Sequence, residues 1–306
     1  MTQNGPNQPD NRHAATSNMQ SNDKAVKREA REQETTPSEM ALTGSEREAV
    51  AENSSLSSLT VYSIILREGQ EELERPMLSL WWSGIAAGIG ISSSVLAEAV
   101  IRSNLGSDHP YLSLIESLGY TFGFVLVILA RLQLFTENTI TVILPLLANT
   151  TKQSLVSTAR LWAVVLGANF VGTFFTAAMV VHGGILTEDI FSAILQISRH
   201  VAELTPSESL LRGIPAGFFI AALVWMLPSA KGSELLVIIM FTWLIAAGEF
   251  THVIAGSNEI FTLVLNGELN FFTAWTHYIG PTLLGNIIGG TGLFAMLAYG
   301  QVRQEM

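Results

Sequence analysis

Residues 119–148 read GYTFGFVLVILA, then RLQLFTENT, then ITVILPLLA. The apolar stretch they belong to, about 113–150, is too long for one pass, since a spanning helix needs roughly 20 mostly apolar residues. It begins as a clean apolar run, is broken near its middle by polar residues and then resumes. The stretch at about 233–265 behaves the same way, reading ELLVIIMFTWLIAAG, EFTHVIAGSNE and IFTLVL. Four further apolar segments, about 77–101, 160–182, 210–228 and 271–300, complete a predicted set of six. The fold class is therefore all-α: a polytopic membrane protein with six transmembrane helices, the second and fifth interrupted.

Broken helices in matching places predict a 3+3 inverted repeat. The third segment contains GANFVGT and the sixth GNIIGGT, so Asn286 follows Asn169 by 117 residues, and the same offset carries Phe135 in the first break onto His252 in the second. Three spans per half set the halves in opposite orientations, so the breaks enter from opposite faces and meet near the midplane. Unpaired backbone survives at that depth only where protein or a water-filled cavity surrounds it. Two converging half-helix N-termini make a modest anion site without any formal charge. A solute path between Phe135 and His252 is the expectation.

Only 14% of the 306 residues are charged, against about a quarter in soluble domains. Residues 1–75 hold 13 of the 26 acids and 8 of the 16 basic residues, so half of the net charge of −10 sits in one polar end. No basic stripe with interleaved aromatics is present, so no nucleic-acid partner is expected. The absence of cysteine excludes disulfides, thiolate chemistry and cysteine–zinc sites. The N-terminal residues have no apolar core behind a basic start, so the spanning segments are expected to direct insertion.

Three regions follow. Residues 1–55, rich in Asn, Gln, Ser, Thr, Glu and Lys, read as a disordered polar cytoplasmic tail. Residues 56–75 read as an amphipathic helix, either lying on the cytoplasmic membrane surface against lipid or packed on its own protein. Residues 76–306 form the channel domain. Arg67, Arg75, Lys152, Arg160, Lys231 and Arg303 flank one side of the predicted spans, and only Arg102, Arg199 and Arg212 the other, which favours cytoplasmic N- and C-termini. Trp81, Trp82, Trp162 and Trp275 lie near helix ends, as interfacial anchors would.

The residues at the breaks resemble the formate/nitrite transporter family over about 70–300. Arg131-Leu-Gln-Leu-Phe-Thr-Glu-Asn138 is similar to the family's G-A-E-L-F-T-G-N run, with Leu134, Phe135, Thr136 and Asn138 matching directly. Phe250-Thr251-His252 is similar to the run bearing its central pore histidine, and Gly285-Asn-Ile-Ile-Gly-Gly290 to its sixth helix. The run REGQEELERP at 67–76 and the variant breaks resemble the YfdC-type inner-membrane branch. The resemblance implies an aquaporin-like protomer in a homopentamer of the bacterial inner membrane. It implies passage of weak-acid anions such as formate or nitrite; no cofactor is expected from the residues. Departures are Gln133 where an acid is usual, Glu137 for glycine, Thr251 for glutamate, and Gly217 and Gly256 where pore asparagines are usual; His200 lies only near the place of an outer lysine.

His252 is the first candidate. Imidazole changes charge in the physiological range, so it can offer a proton to a passing weak acid, and a neutral acid crosses an apolar constriction at far lower cost than its anion. Thr136 is read as orienting the imidazole or capping the following half-helix. Leu134 and Phe135 are read as an apolar gate or as packing at the repeat interface. Arg131 and Glu137 are expected to pair, because neither is cheap inside a bilayer; Asn138 and Thr251 complete the pore-adjacent polar set. Glu249 and His252 are spaced as Glu-x-x-His, but without a second copy in the spans they make a weak metal motif, and no enzyme is expected. Asn169 and Asn286 read as interhelical hydrogen-bonders, and Gly84, Gly88 and Gly90 as close-packing positions. Competing readings are a pore for a different neutral or weakly acidic solute, and an interaction protein with a vestigial pore.

Overall fold

In the computed structural model the described residues are 54–106 and 108–305, together with Met1, Thr43, Ser45 and Glu46. The chain divides into two units, Met1–Ser55 and Leu56–Met306. In the first, the Thr43 amide and hydroxyl both donate to the Glu46 carboxylate. The expected disorder of residues 1–55 otherwise falls outside the described residues.

The second unit is helical throughout. Helix α1 spans Ser58–Glu74. The remaining helices are α2 (Met77–Leu105), α3 (Leu112–Leu129), α4 (Asn138–Ala148), α5 (Lys152–His182), α6 (Glu188–Ala202), α7 (Pro206–Ser229), α8 (Glu234–Ala247), α9 (Val253–Leu265) and α10 (Phe271–Val302). Five of them, α2, α3, α5, α7 and α10, are long and apolar enough to cross a membrane. The other apolar helices are short because the chain leaves the helical path at two points. One break separates α3 from α4, and the other divides the predicted fifth segment into α8 of 14 residues and α9 of 13. Large side chains such as Phe122, Leu236 and Phe272 lie exposed on the outside, as lipid-facing residues do.

Two helix crossings frame the breaks, α2 on α5 and α7 on α10, and small residues let the backbones approach. In the first, Gly84 and Gly88 lie against Ala168, Asn169 and Gly172; in the second, Gly213 and Gly217 lie against Gly285 and Asn286. A Cβ on Gly172 would sit 2.8 Å from both Gly88 Cα and Ile89 N. Gly172→Val is therefore expected to cost about 1–3 kcal/mol through overpacking, seen as a lower unfolding temperature in detergent. Gly292→Ala, with open space around it, should leave stability unchanged or raised.

Helix α1 turns Val61, Tyr62 and Ile65 onto α4, α7 and α10, where they pack with Ile140, Leu144, Val224 and Val302. Gly69 admits the α4 backbone at Thr141 and the ring of Pro145. Arg160 on α5 donates to Leu73 O (3.0 Å) near its last turn. Helix α2 carries Ser92 and Ser93, whose hydroxyls donate back to Gly88 O (2.8 Å) and Gly90 O (2.6 Å), a pattern that bends helices.

Helix α6 is an element the apolar-segment reading passed over. It buries Ala193, Ile194, Leu195 and Ser198, packing against α2 and α9. Its signal was present in residues 187–200: a Thr187 cap, Glu188 and Asp189 in the first turn, and Arg199 and His200 in the last.

Candidate functional site

The two breaks are built alike. Helix α3 ends as Ala130 N bonds to Leu126 O and Leu132 N to Val127 O; α8 ends as Gly248 N bonds to Leu244 O and Phe250 N to Ile245 O. Between these bonds Arg131 (φ 54°) and Glu249 (φ 52°) take the left-handed conformation that turns the chain off the helix. Non-glycine residues rarely adopt it, and these are the only two among the described residues.

Asparagine side chains then hold the non-helical segments. Asn169 Oδ1 accepts from Phe135 N (2.9 Å), and its Nδ2 donates to Gln133 O and Gly84 O (both 2.8 Å). Asn286 Oδ1 accepts from Val253 N (2.9 Å), and its Nδ2 donates to Thr251 O (2.9 Å) and Gly213 O (2.8 Å). Both asparagines therefore bridge helices, as read from the sequence. The offset needs a correction of one residue: 249 minus 131 and 253 minus 135 both give 118, so His252 corresponds to Leu134 rather than Phe135.

His252 is 2% exposed and caps α9, its Nδ1 accepting from Ala255 N (3.2 Å). An acceptor nitrogen carries no proton, so in the neutral ring the proton is on Nε2, which donates to Thr136 Oγ1 at 2.7 Å. The imidazole also packs edge-on against Phe124, centroids 5.0 Å apart, a contact the sequence reading missed. Thr136 thus meets the imidazole and does not cap α4, which begins without a side-chain cap.

Leu134 and Phe135 are buried (0% and 1% exposed). Phe135 faces Trp162 (centroids 5.5 Å), whose indole donates to Asn138 O (3.1 Å), so Trp162 is no interfacial anchor. Asn138 Nδ2 donates to Gln133 Oε1 (3.1 Å) and Leu134 O (3.2 Å), bracing the first break from within.

The expected Arg131–Glu137 pair does not form. Arg131 is exposed and reaches Glu68 on α1 at 3.5 Å, while Glu137 Oε1 is buried without a partner. Because an exposed pair of this length holds little energy, Arg131→Ala should change stability by less than about 1 kcal/mol in thermal unfolding. Nor do Glu249 and His252 share a helical face, because the left-handed turn at Glu249 sends its carboxylate to Arg212 (2.7 Å), with His200 at 3.7 Å. Thr251 is tied to α7, its hydroxyl donating to Ser209 O (2.7 Å). Gly217 is filled by the Asn286 backbone and so presents no surface to a solute, whereas Gly256 faces open space.

A cavity of about 600 Å³ runs from the α6 side of the molecule to His252. Glu98, Tyr120, Gly256 and Glu259 line it between helices, and Arg102, Arg199 and Arg212 stand in its wall. Leu134, Phe135 and Thr136 are not part of that wall, so the cavity stops at the imidazole. Its arginines are engaged: Arg102 with Glu116 (2.8 Å), Arg199 with Glu268 (2.7 Å) and Arg212 with Glu249. The hydrogen bond from Arg199 holds the Glu268 carboxyl below its ordinary range. Sequence reading had singled out neither Glu98 nor Glu259, which look like isolated acids in apolar runs until the fold places both at this cavity.

Apolar helices with two interrupted ones, whose breaks meet at a buried histidine below a cavity, define a membrane transport protein. The formate/nitrite transporter family profile matches residues 59–300, and the chain belongs to that family. Membership makes it a transporter or channel and not an enzyme.

The chain is 42% identical over 249 residues to the inner membrane protein YfdC of Escherichia coli (strain K12), covering 81% of this chain and 80% of that protein. It is 26% identical to the formate channel FocA of Haemophilus influenzae over 271 residues, 78% of this chain and 94% of that one. Among solved structures, a pentameric formate channel with formate bound superposes with a TM-score of 0.65 at 23% identity, over 74% of this chain and 98% of that one. An FNT family ion channel superposes at 0.67 and 17% identity, over 80% and 98%.

Proposed function

We propose that this protein moves a small monovalent weak-acid anion, formate- or nitrite-like, across a bacterial inner membrane, with His252 assisting passage. The observation that carries the reading is the buried His252–Thr136 hydrogen bond at the blind end of the cavity. In this reading α3 with α4, and α8 with α9, each count as one broken span, giving six spans in a 3+3 inverted repeat of aquaporin-like form. The matched hydrogen-bond sets of Asn169 and Asn286 support it. Leu134 and Phe135 form the constriction beyond the imidazole. Glu137, Asn138, Glu249 and Thr251 set the polarity on either side of it, and Arg131 stands at the outlet. Both termini face the cytoplasm, with α1 on that side, and five protomers assemble with one pore each; the likeness to a pentameric formate channel supports the fivefold assembly.

The hydrogen bonds at His252 refine its part. To pass a proton the ring must first gain one on Nδ1, giving up the Ala255 cap; without that it can still lend its Nε2–H to an oxyanion in place of Thr136. The unpartnered Glu137 Oε1 favours a second reading, a neutral or weakly acidic solute other than formate or nitrite, because whatever fraction of that carboxyl is ionised repels anions.

The test is flux of formate and nitrite into liposomes holding the purified protein, across about pH 5 to 8, which spans the ordinary imidazole titration. Saturable flux that rises as pH falls supports the reading. A folded, oligomeric protein that passes neither anion overturns it.

A further inference from the structure

Helix α9 is capped by His252 and carries Gly256 and Glu259, and all three line the cavity. With no atom within 4 Å of where a Gly256 Cβ would stand, the space between histidine and glutamate is open. At 1.5 Å per residue, the two positions lie about 10 Å apart along the helix. Glu259 is 5% exposed and its Oε2 is buried without a hydrogen-bond partner. Across the cavity α2 presents Glu98, 8% exposed and likewise without a hydrogen bond or ion pair among the described residues. Tyr120 on α3 lines the same cavity.

The other charged groups facing this pair are already spoken for. Arg102 on α2 makes two bonds to Glu116 on α3 (both 2.8 Å), and Arg199 on α6 makes two to Glu268 (2.7 and 2.8 Å). Arg212 on α7 holds Glu249, with His200 and Glu203 beside it at the exposed rim. On α10, the Tyr278 hydroxyl donates to Ala202 O. Among the described residues, each arginine in the cavity wall is paired with another carboxylate, and neither Glu98 nor Glu259 has an ion pair. A pair in that position holds a proton, because leaving both ionised and unpaired costs several kcal/mol.

Resting on the transport reading above, we infer that Glu98 and Glu259 form a proton-holding site in the cavity wall, which hands its proton to a weak-acid anion before it reaches His252. The O–H bond of the carboxyl breaks, the same proton bonds to the anion oxygen, and the electron pair stays on the glutamate. A hydronium ion from the cavity water then restores the carboxyl, so one proton enters with each anion. This supplies what the neutral His252 lacks, since its one ring proton, on Nε2, is not an acidic one. The neutral acid then passes over Gly256 to the imidazole and the Leu134–Phe135 constriction.

The test uses the full chain in liposomes, with formate flux and internal pH recorded together, and infrared titration of the same protein. Wild type should show a protonated-carboxyl band near neutral pH that Glu259→Gln removes. The variant should lose proton uptake per formate by about tenfold or more, and Glu259→Asp should restore part of it. Absence of the band, or a band untouched by Glu259→Gln, overturns the site. A band lost in Glu259→Gln with proton coupling unchanged overturns its role as donor. Wild type that passes no formate refutes the transport reading and the donor role, while the infrared band still decides whether the pair holds a proton. Sodium-dependent flux abolished in Glu259→Gln, with no protonated band, would reassign the pair to a metal cation and overturn the inference.

Discussion

Replacing His252 by Asn is expected to lower formate flux into liposomes about a hundredfold, the usual cost of losing one preorganised hydrogen-bond donor at a developing charge. Asparagine is chosen because it is a good helix N-cap, so α9 keeps an acceptor for the amide that Nδ1 now serves. What disappears is the Nε2–H held toward Thr136. The pH profile carries the finer information. If Glu98 and Glu259 supply the proton, flux through the variant stays low at every pH but still rises with acidity. If His252 is itself the donor, the dependence flattens. Unchanged flux would mean that the imidazole only caps α9 and braces the breaks.

The second large effect is on stability. Asn169→Ala and Asn286→Ala should each cost about 2 kcal/mol or more, because each strands two buried backbone groups of a break, at 1–3 kcal/mol apiece before relaxation. In Asn169→Ala these are Phe135 N and Gln133 O, and in Asn286→Ala Val253 N and Thr251 O, whereas Gly84 O and Gly213 O lie within α2 and α7 and keep their helical donors. In a membrane interior no bulk water replaces the lost partners. Unfolding in detergent, followed by tryptophan fluorescence, should show similar drops for the two variants, because the two hydrogen-bond sets match atom for atom. A loss under about 1 kcal/mol in either would mean that the break is held by helix packing alone.

Much of this protein is legible in its residues because the bilayer leaves few options. Twenty apolar residues make a span, an interrupted run must hide its backbone inside protein, and a glycine-flanked asparagine in two matching segments marks where helices bridge. Those rules supplied the helical class, the two breaks and the asparagine bridges, and left Thr136 open between the imidazole and a helix cap until the structure placed it on His252. They failed where the answer depended on distance between parts of the chain remote in sequence. Arg131 and Glu137 sit six positions apart in an apolar run, and adjacency suggests pairing. Yet the left-handed turn at Arg131 swings it toward Glu68, on a helix some 60 residues earlier. The same geometry at Glu249 dissolves the Glu-x-x-His spacing, since that spacing has chemical meaning only on a continuous helix.

Helix α6 shows the limit from the other side. Its caps and charged ends were written in residues 187–200, but an amphipathic helix of 15 residues is invisible to a search for spanning segments. Its importance comes from where it packs, beside the cavity on α2 and α9. Glu98 and Glu259 carry the same lesson most strongly. Nothing local relates two glutamates 161 positions apart, 259 minus 98, and each alone is one acid in an apolar stretch. The sequence by itself determined that backbone must be broken and satisfied inside the membrane, because that follows from local composition and the bilayer's lack of hydrogen-bonding partners. Only the tertiary structure decided which charges are paired and which are left over, because ion pairing depends on through-space distance and on what else has already claimed each arginine.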